Sequence, residues 1–334
     1  MGGDLRNKVP VVVGIGELLW DVFPQRKTLG GAPANVIFNC NQLGTECCLV
    51  SELGDDDLGT EMKGMLAELR FRPDFLNICE GHPTGTVSVR LDAGGNPRYK
   101  IRENVAWDYI RWSPRLKDLA TIADAVCFGS LAQRSPVSRA TIGRFLECTR
   151  PDCLRVFDIN LREPYPDSAV VLASLKRANV VKVNIDELDY LSSLLQLTGD
   201  VRNRLTDMLC RFHLSCVALT RGAQGSTLVT NAEAVDCPGL EVDVEDTVGA
   251  GDAFTGAMIV GMLRRRPLRE INATAGRIAA CVCAQTGAMV ELPGDVVRGL
   301  RGTVLPIREH RSREAVERDA FSVRDVRDAP EEGE

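Results

Sequence analysis

The run Asp246-Thr247-Val248-Gly249-Ala250-Gly251-Asp252-Ala253-Phe254-Thr255-Gly256-Ala257 is the most specific chemical text in this chain of 334 residues. Two glycines flank an alanine directly ahead of a helical pattern whose core face includes Phe254, Met258, Gly261 and Met262. Small residues there let backbone N–H groups converge on one spot, and the helix N-terminus adds fractional positive charge. Gly249, Ala250 and Gly251 are therefore an expected cradle for an anion. Asp252 falls at the helix start, beside that guest. A carboxylate against a bound phosphate repels it unless it handles a proton. The competing reading is a helix N-cap, which Asp performs well. Both stay open on this segment alone.

Other chemistries lack their residues. There is no G-x-x-x-x-G-K-[ST] run, Gly14-Ile15-Gly16 lacks the third glycine of a dinucleotide fingerprint, and no G-x-S-x-G elbow occurs. The chain has three histidines and no C-x-x-C among its 12 cysteines, so a His-rich metal site, a zinc knuckle and a hydrolase triad find little support. The cysteines lie scattered in apolar segments and read as buried thiols.

Stepping outward from the cradle, apolar β-branched runs alternate with helical patterns along nearly the whole chain. Strands are expected at Val9–Ile15, Cys47–Leu53, Ala125–Gly129, Leu154–Ile159, Val180–Asn184 and Cys216–Thr220. Helices are expected at Ala32–Leu43, Asp57–Arg70, Ser135–Cys148, Ser168–Arg177, Asp186–Leu195 and Asp200–His213. Strands separated by helices imply βαβ units and a mainly parallel sheet covered on both faces. Thr84–Asn104 breaks the rhythm with period-two alternation around a Gly-rich turn at Ala93–Pro97, a β-hairpin that reads as a lid. The densely charged Pro306–Glu334 segment reads as a solvated tail, leaving 9–305 as one domain.

Six separated motifs, in order, resemble the ribokinase-like (pfkB) carbohydrate kinases and most closely their fructokinase branch. They are Leu29-Gly30-Gly31-Ala32-Pro33-Ala34-Asn35, preceded by Gly16-Glu17-Leu18-Leu19-Trp20-Asp21; Gly54-Asp55-Asp56-Asp57-Leu58-Gly59; Asp158-Ile159-Asn160-Leu161-Arg162; Asn184-Ile185-Asp186-Glu187; Thr220-Arg221-Gly222-Ala223-Gln224-Gly225; and Asp246 to Asp252. The resemblance implies a three-layer α/β/α sandwich with a small β lid, and ATP-dependent phosphorylation of a sugar primary hydroxyl, fructose first. It implies Asp252 as the catalytic base, Asp21, Gly31, Asn35 and Arg162 on the sugar, and Asn184, Thr220, Gly222 and Gly225 on the nucleotide. Asp21, which follows the first strand, is expected at the C-terminal edge of the main sheet, where open α/β sheets bind ligands. Glu187 would organise Mg²⁺ through water, and Asp246 matches a position associated with a monovalent cation, K⁺ being the candidate. Asn184 and Glu187 also suit a helix capping box, and the two roles are compatible. One position departs from the family pattern: Gly276 stands where Asn is common in the helix flanking adenine, so those contacts do not carry over. The alternatives are a kinase for another sugar, a nucleoside or 2-keto-3-deoxygluconate, or a silent sugar-binding protein on the same fold.

A net charge of −6 offers no basic footprint, so neither nucleic acid nor an anionic membrane is an expected partner. No apolar run reaches the roughly 18 residues of a membrane span. The N-terminal run carries no signal-peptide core, which makes the cytoplasm the expected location. The lid is an expected homodimer contact.

Overall fold

The computed structural model describes residues 9–91, 97–162, 167–294 and 296–297. The charged 306–334 segment and most of the expected Gly-rich turn lie outside them. β1 (Val11–Ile15) leads through β2 (Leu19–Val22) and β3 (Lys27–Gly30) into α1 (Ala32–Gln42). Next come β4 (Glu46–Gly54), α2 (Asp57–Glu68), β5 (Leu76–Cys79) and the hairpin β6 (Gly85–Leu91) with β7 (Pro97–Ile101). The chain continues through α3 (Pro114–Ile122), β8 (Ala125–Phe128), α4 (Pro136–Glu147), β9 (Leu154–Asp158), α5 (Ser168–Arg177) and β10 (Val180–Asn184). It closes with α6 (Ile185–Leu195), α7 (Val201–Arg211), β11 (Cys216–Thr220), β12 (Ser226–Val229), β13 (Ala234–Cys237), α8 (Ala250–Leu263) and α9 (Leu268–Cys283).

Nine strands form one sheet in the order β13-β12-β11-β10-β9-β8-β1-β4-β5. Every pairing from β5 to β11 is parallel, and β12 and β13 add an antiparallel edge. The strands are apolar on both faces because both are covered. Val11, Val13 and Ile15 enter one core with residues of α3, α4, α5, α6 and α7, while Val12 enters the other with α1, α2, α8 and α9. This is the expected α/β/α sandwich. Burial pushes the thiols of Cys47, Cys153 and Cys216 up to about 12, which makes them inert packing groups.

The hairpin is half of a second sheet rather than a lone excursion. Four strands pair in the order β3-β2-β6-β7, with β2 parallel to β6 and both flanking pairs antiparallel. This corrects one sequence expectation. Asp21 does not sit at the C-terminal edge of the main sheet; it lies within β2, opposite Thr28. The strand was hidden because Leu19–Val22 is only four residues and is soon followed by Pro24.

Candidate active site

β1 pairs with β4 on one side and β8 on the other, and the chain reverses its direction of travel across the sheet there. Open parallel sheets bind ligands in the crevice at such a switch point, beyond the carboxyl ends of the strands. The register places sequence-distant groups along that edge. Asp158 of β9 is the partner of Lys182 in β10, and Asn184 of β10 is the partner of Thr220 in β11.

Gly249 precedes α8 with φ 80°, a left-handed turn, and a Cβ there would meet Ala288 at 2.5 Å. Glycine is therefore required twice over, by conformation and by space. No side chain caps α8; Ala250 N donates to Thr247 O at 3.3 Å, and Asp252 follows in the first helical turn. Asp252 does not cap the helix: Oδ2 accepts from Asn35 Nδ2 at 2.8 Å, across from α1. Burial pushes Asp252 up to about 6, and Asp158 adds to that; the Asn35 hydrogen bond, Lys182 and Arg162 oppose it. The result is a carboxylate that is ionised at neutral pH and basic enough to take a proton.

Beneath the cradle lies a charged pair. Lys182 Nζ is 3.1 Å from Asp158 Oδ1, and the two side chains are 8% and 2% exposed. A Cβ on Gly251 would meet the same Nζ at 3.1 Å, so the ammonium abuts the middle of the cradle. Asp158 Oδ2 accepts from Thr255 Oγ1 at 2.7 Å, which ties the pair to α8. Burial disfavours the Lys182 ammonium, but Asp158, Glu187 and Asp252 outweigh it and raise its pKa. Lys182, Thr255 and the role of Asp158 escaped the sequence reading. A charged residue inside the otherwise apolar Val180-Val181-Lys182-Val183 run was the available signal.

Asn184 and Glu187 form the expected capping box. Asn184 Oδ1 accepts from Glu187 N and Glu187 Oε2 accepts from Asn184 N, both at 2.8 Å. Glu187 Oε1 also accepts from Leu161 N at 3.1 Å, which pins the loop carrying Arg162. Each carboxylate oxygen keeps a second acceptor site. No cluster of three or more His, Cys, Asp or Glu able to hold a metal occurs among the described residues. The free acceptor sites of Glu187 fit an ion held through its own waters and phosphate oxygens, as Mg²⁺ prefers.

Asp246 joins two loops: Oδ1 accepts from Val248 N at 3.0 Å and Oδ2 from Gly287 N at 3.2 Å. Thr220 ends β11 and donates to Val183 O at 3.4 Å. Gly222 and Gly225 shape the turn that follows, where a Cβ on Gly225 would meet Cys237 O at 2.1 Å. Gly276 lies on α9, and a Cβ there would meet nothing within 4 Å, so that helix leaves open space at the position of the departure.

On the other side of Asp252 stand the groups expected to meet a sugar. Gly31 caps α1 with φ 119°, and the carbonyl of Glu17 lies 2.4 Å from where its Cβ would be. Asp21 folds its carboxylate over Gly30, with Oδ2 2.3 Å from a would-be Cβ. Burial pushes Asp21 up to about 6, opposed by Arg162 and reinforced by Asp246. Arg162 is exposed and bonds its own loop at Leu161 O, 3.0 Å away. Its charge reaches Asp252, Asp21 and Glu17 alike. Asp21, Asn35, Arg162 and Asp252 thus form one polar neighbourhood, while Asn184 ends β10, Thr220 ends β11 and Glu187 lies in the first turn of α6.

The model of the pfkB family carbohydrate kinases matches residues 12–294. A putative sugar kinase of Pyrococcus horikoshii is 28% identical over 298 residues, covering 83% of this chain and 91% of that protein. A probable fructokinase of Arabidopsis thaliana is 27% identical over 312 residues, covering 86% and 89%. The solved ATP complex of the Pyrococcus horikoshii sugar kinase superposes with TM-score 0.73 at 28% identity, over 87% of this chain and 99% of that one. A Xylella fastidiosa fructokinase with bound ATP has TM-score 0.76 at 23% identity, over 87% and 97%, a likeness of fold. The match spans both the cradle and the sheet that positions it, and the chain belongs to the pfkB family of carbohydrate kinases.

Proposed function

We propose that this sugar kinase transfers the γ-phosphoryl group of ATP to a primary hydroxyl of fructose, giving fructose 6-phosphate. The observation that carries the reading is Asp252, a carboxylate at the first turn of α8 held by Asn35 at 2.8 Å and raised to about 6. It takes the proton from the attacking hydroxyl as that oxygen approaches phosphorus in line. The amides from Gly249 to Asp252 stabilise charge on the transferring group, as preorganised donors do. Lys182, fixed beneath Gly251, adds a positive charge that moves little during the reaction. Asn184, Thr220, Gly222 and Gly225 line the nucleotide side; ATP as the donor is supported by the ATP complex of the sugar kinase that is 28% identical. Glu187 would hold Mg²⁺ through water, and the bound ion would supply positive charge against the phosphates. K⁺ beside Asp246 is the corresponding assignment for a monovalent ion.

Asp21, Asn35 and Arg162 supply convergent polar groups suited to a polyol. Trp20 and Trp107, which lie near these elements in sequence, are 1% and 0% exposed and offer no face for a nucleobase. A coupled ADP-release assay across fructose, ribose, 2-keto-3-deoxygluconate, mannose and adenosine tests the reading. Fructose should show the highest kcat/KM. A higher value for another acceptor overturns fructose and keeps the kinase; ADP release no faster than background ATPase for every acceptor overturns the kinase and leaves a binding protein.

A further inference from the structure

Glu17 lies in the connection from β1 to β2, is 2% exposed, and serves none of the roles described so far. The backbone N–H groups of Glu17 itself and of Ala32, the first residue of α1, act on its carboxyl and hold its pKa down. Its Oε2 atom is buried and has no hydrogen-bond partner among the described residues. Asn35 is in the same condition: Nδ2 donates to Asp252, and Oδ1 is buried without a partner. The amide cannot be turned round, because an ionised carboxylate only accepts and must be faced by the NH₂ group. Asn35 stands three residues beyond Ala32 on α1, so the two lie on one helix face. Two buried acceptors without donors are therefore anchored to the same face of one helical turn. Each is destabilising when left unpaired. One proton resolves both.

We propose that Glu17 is a positioning residue for phosphoryl transfer: its carboxyl keeps a proton, donates it through Oε2 to Asn35 Oδ1, and thereby fixes the amide that donates to Asp252. The hydrogen-bonded row runs Glu17, Asn35, Asp252. No proton leaves the row; Glu17 holds the geometry of the base and does not touch the sugar. Electrostatics point the same way. Burial raises Glu17 to about 7, opposed by its own backbone N–H and by Arg162; Asp252 adds to the rise and the Ala32 N–H opposes it. The charged and titratable groups that feel Glu17 come from three elements: Asp252 of α8, Arg162 after β9, and Cys127 of β8. The inference rests on Asp252 being the base, and its test separates the two.

Infrared difference titration of the ligand-free enzyme reads the proton without any activity. Wild type minus Glu17→Gln should show a protonated-carboxyl band that is lost on the alkaline side of about pH 7. Kinetics read the consequence with whichever acceptor the panel identifies. Wild-type kcat should decline on the alkaline side as Glu17 ionises, whereas Glu17→Gln, an amide donor at every pH, should stay level there. Glu17→Leu, which has no donor, should have a kcat about tenfold below that of Glu17→Gln with a smaller change in KM, in line with a lost positioning contact. Absence of the infrared band overturns the proposal, and so do superimposable pH profiles for wild type and Glu17→Gln. Equal impairment of the Gln and Leu variants overturns it too, since a structural role alone would not be rescued by the isostere. If the band is present and no acceptor is phosphorylated, the proton on Glu17 stands, its positioning of a catalytic base is overturned, and it is the kinase reading that fails.

Discussion

At the carboxyl edge of the main sheet, Lys182 and Asp158 meet among side chains that are wholly enclosed, with Val180, Val181 and Val183 at 0% exposure around them. The sheet of β2, β3, β6 and β7 is different: the buried cluster it forms apart from the two main cores comprises Leu19 and Val87, flanked by Phe23 and Ile101. One region carries the phosphate cradle on interior packing shared with α8 and two cores. The other carries Asp21 on short strands with little core of their own. Interiors packed at crystal-like density hold geometry closely, whereas thinly packed elements open at low free-energy cost. The division suits the proposed reaction: the charge-handling half is preformed, and the half proposed to meet the sugar has the thinner packing that adjustment would need.

The sharpest way to break this comparison is at the base. Asp252→Asn should lower kcat by roughly 10²–10⁴ while leaving sugar affinity nearly intact, because only proton transfer is lost. Retention of more than about a third of the wild-type kcat would remove Asp252 from that role. Lys182→Met strikes the foundation instead. It leaves the Asp158 charge buried without its counter-ion, held by the Thr255 hydroxyl, which should cost about 3–5 kcal/mol of stability, read as a fall in the denaturation midpoint. Lys182→Met together with Asp158→Asn should recover much of that stability without recovering kcat. Full recovery of both would make the pair mere packing.

The small sheet should answer differently. Asp21→Ala should raise KM for the sugar through unpaired hydroxyls worth about 1–3 kcal/mol, with kcat and sugar-free ATP binding little changed. A loss confined to kcat would place Asp21 with the cradle. The smallest effect expected is at the metal. Glu187→Gln should shift the Mg²⁺ titration to higher concentration at fixed ATP, since a neutral anchor holds coordinated water less firmly. Unchanged Mg²⁺ dependence would leave Glu187 with its capping box alone.

How legible each half was in the sequence follows the same division. β10 and β11 coincide with their expected spans because apolar β-branched runs buried on both faces have few other fates. Asp252, Asn35 and Glu187 stand out as candidates because each sits in a compact run of fixed spacing. The Lys182–Asp158 pair was not, because its members are 24 residues apart and only the parallel register of β9 and β10 brings them together. β2, β3, β12 and β13 are four residues each, too short for a period to declare itself. α3 is announced by little more than Ser113, whose side chain accepts from Leu116 N, and by Pro114. Glu17 was quoted inside a motif, yet its burial and its unpaired oxygen exist only in three dimensions.

Asp252 as an ionised base is tested most directly by the pH dependence of kcat at saturating sugar and MgATP. Burial and Asp158 hold this carboxyl near 6, so wild-type kcat should fall with unit slope as the pH drops through about 6. The residual activity of Asp252→Asn should lack that acid limb. An identical acid limb in Asp252→Asn would contradict the assignment and move the titrating base elsewhere in the site.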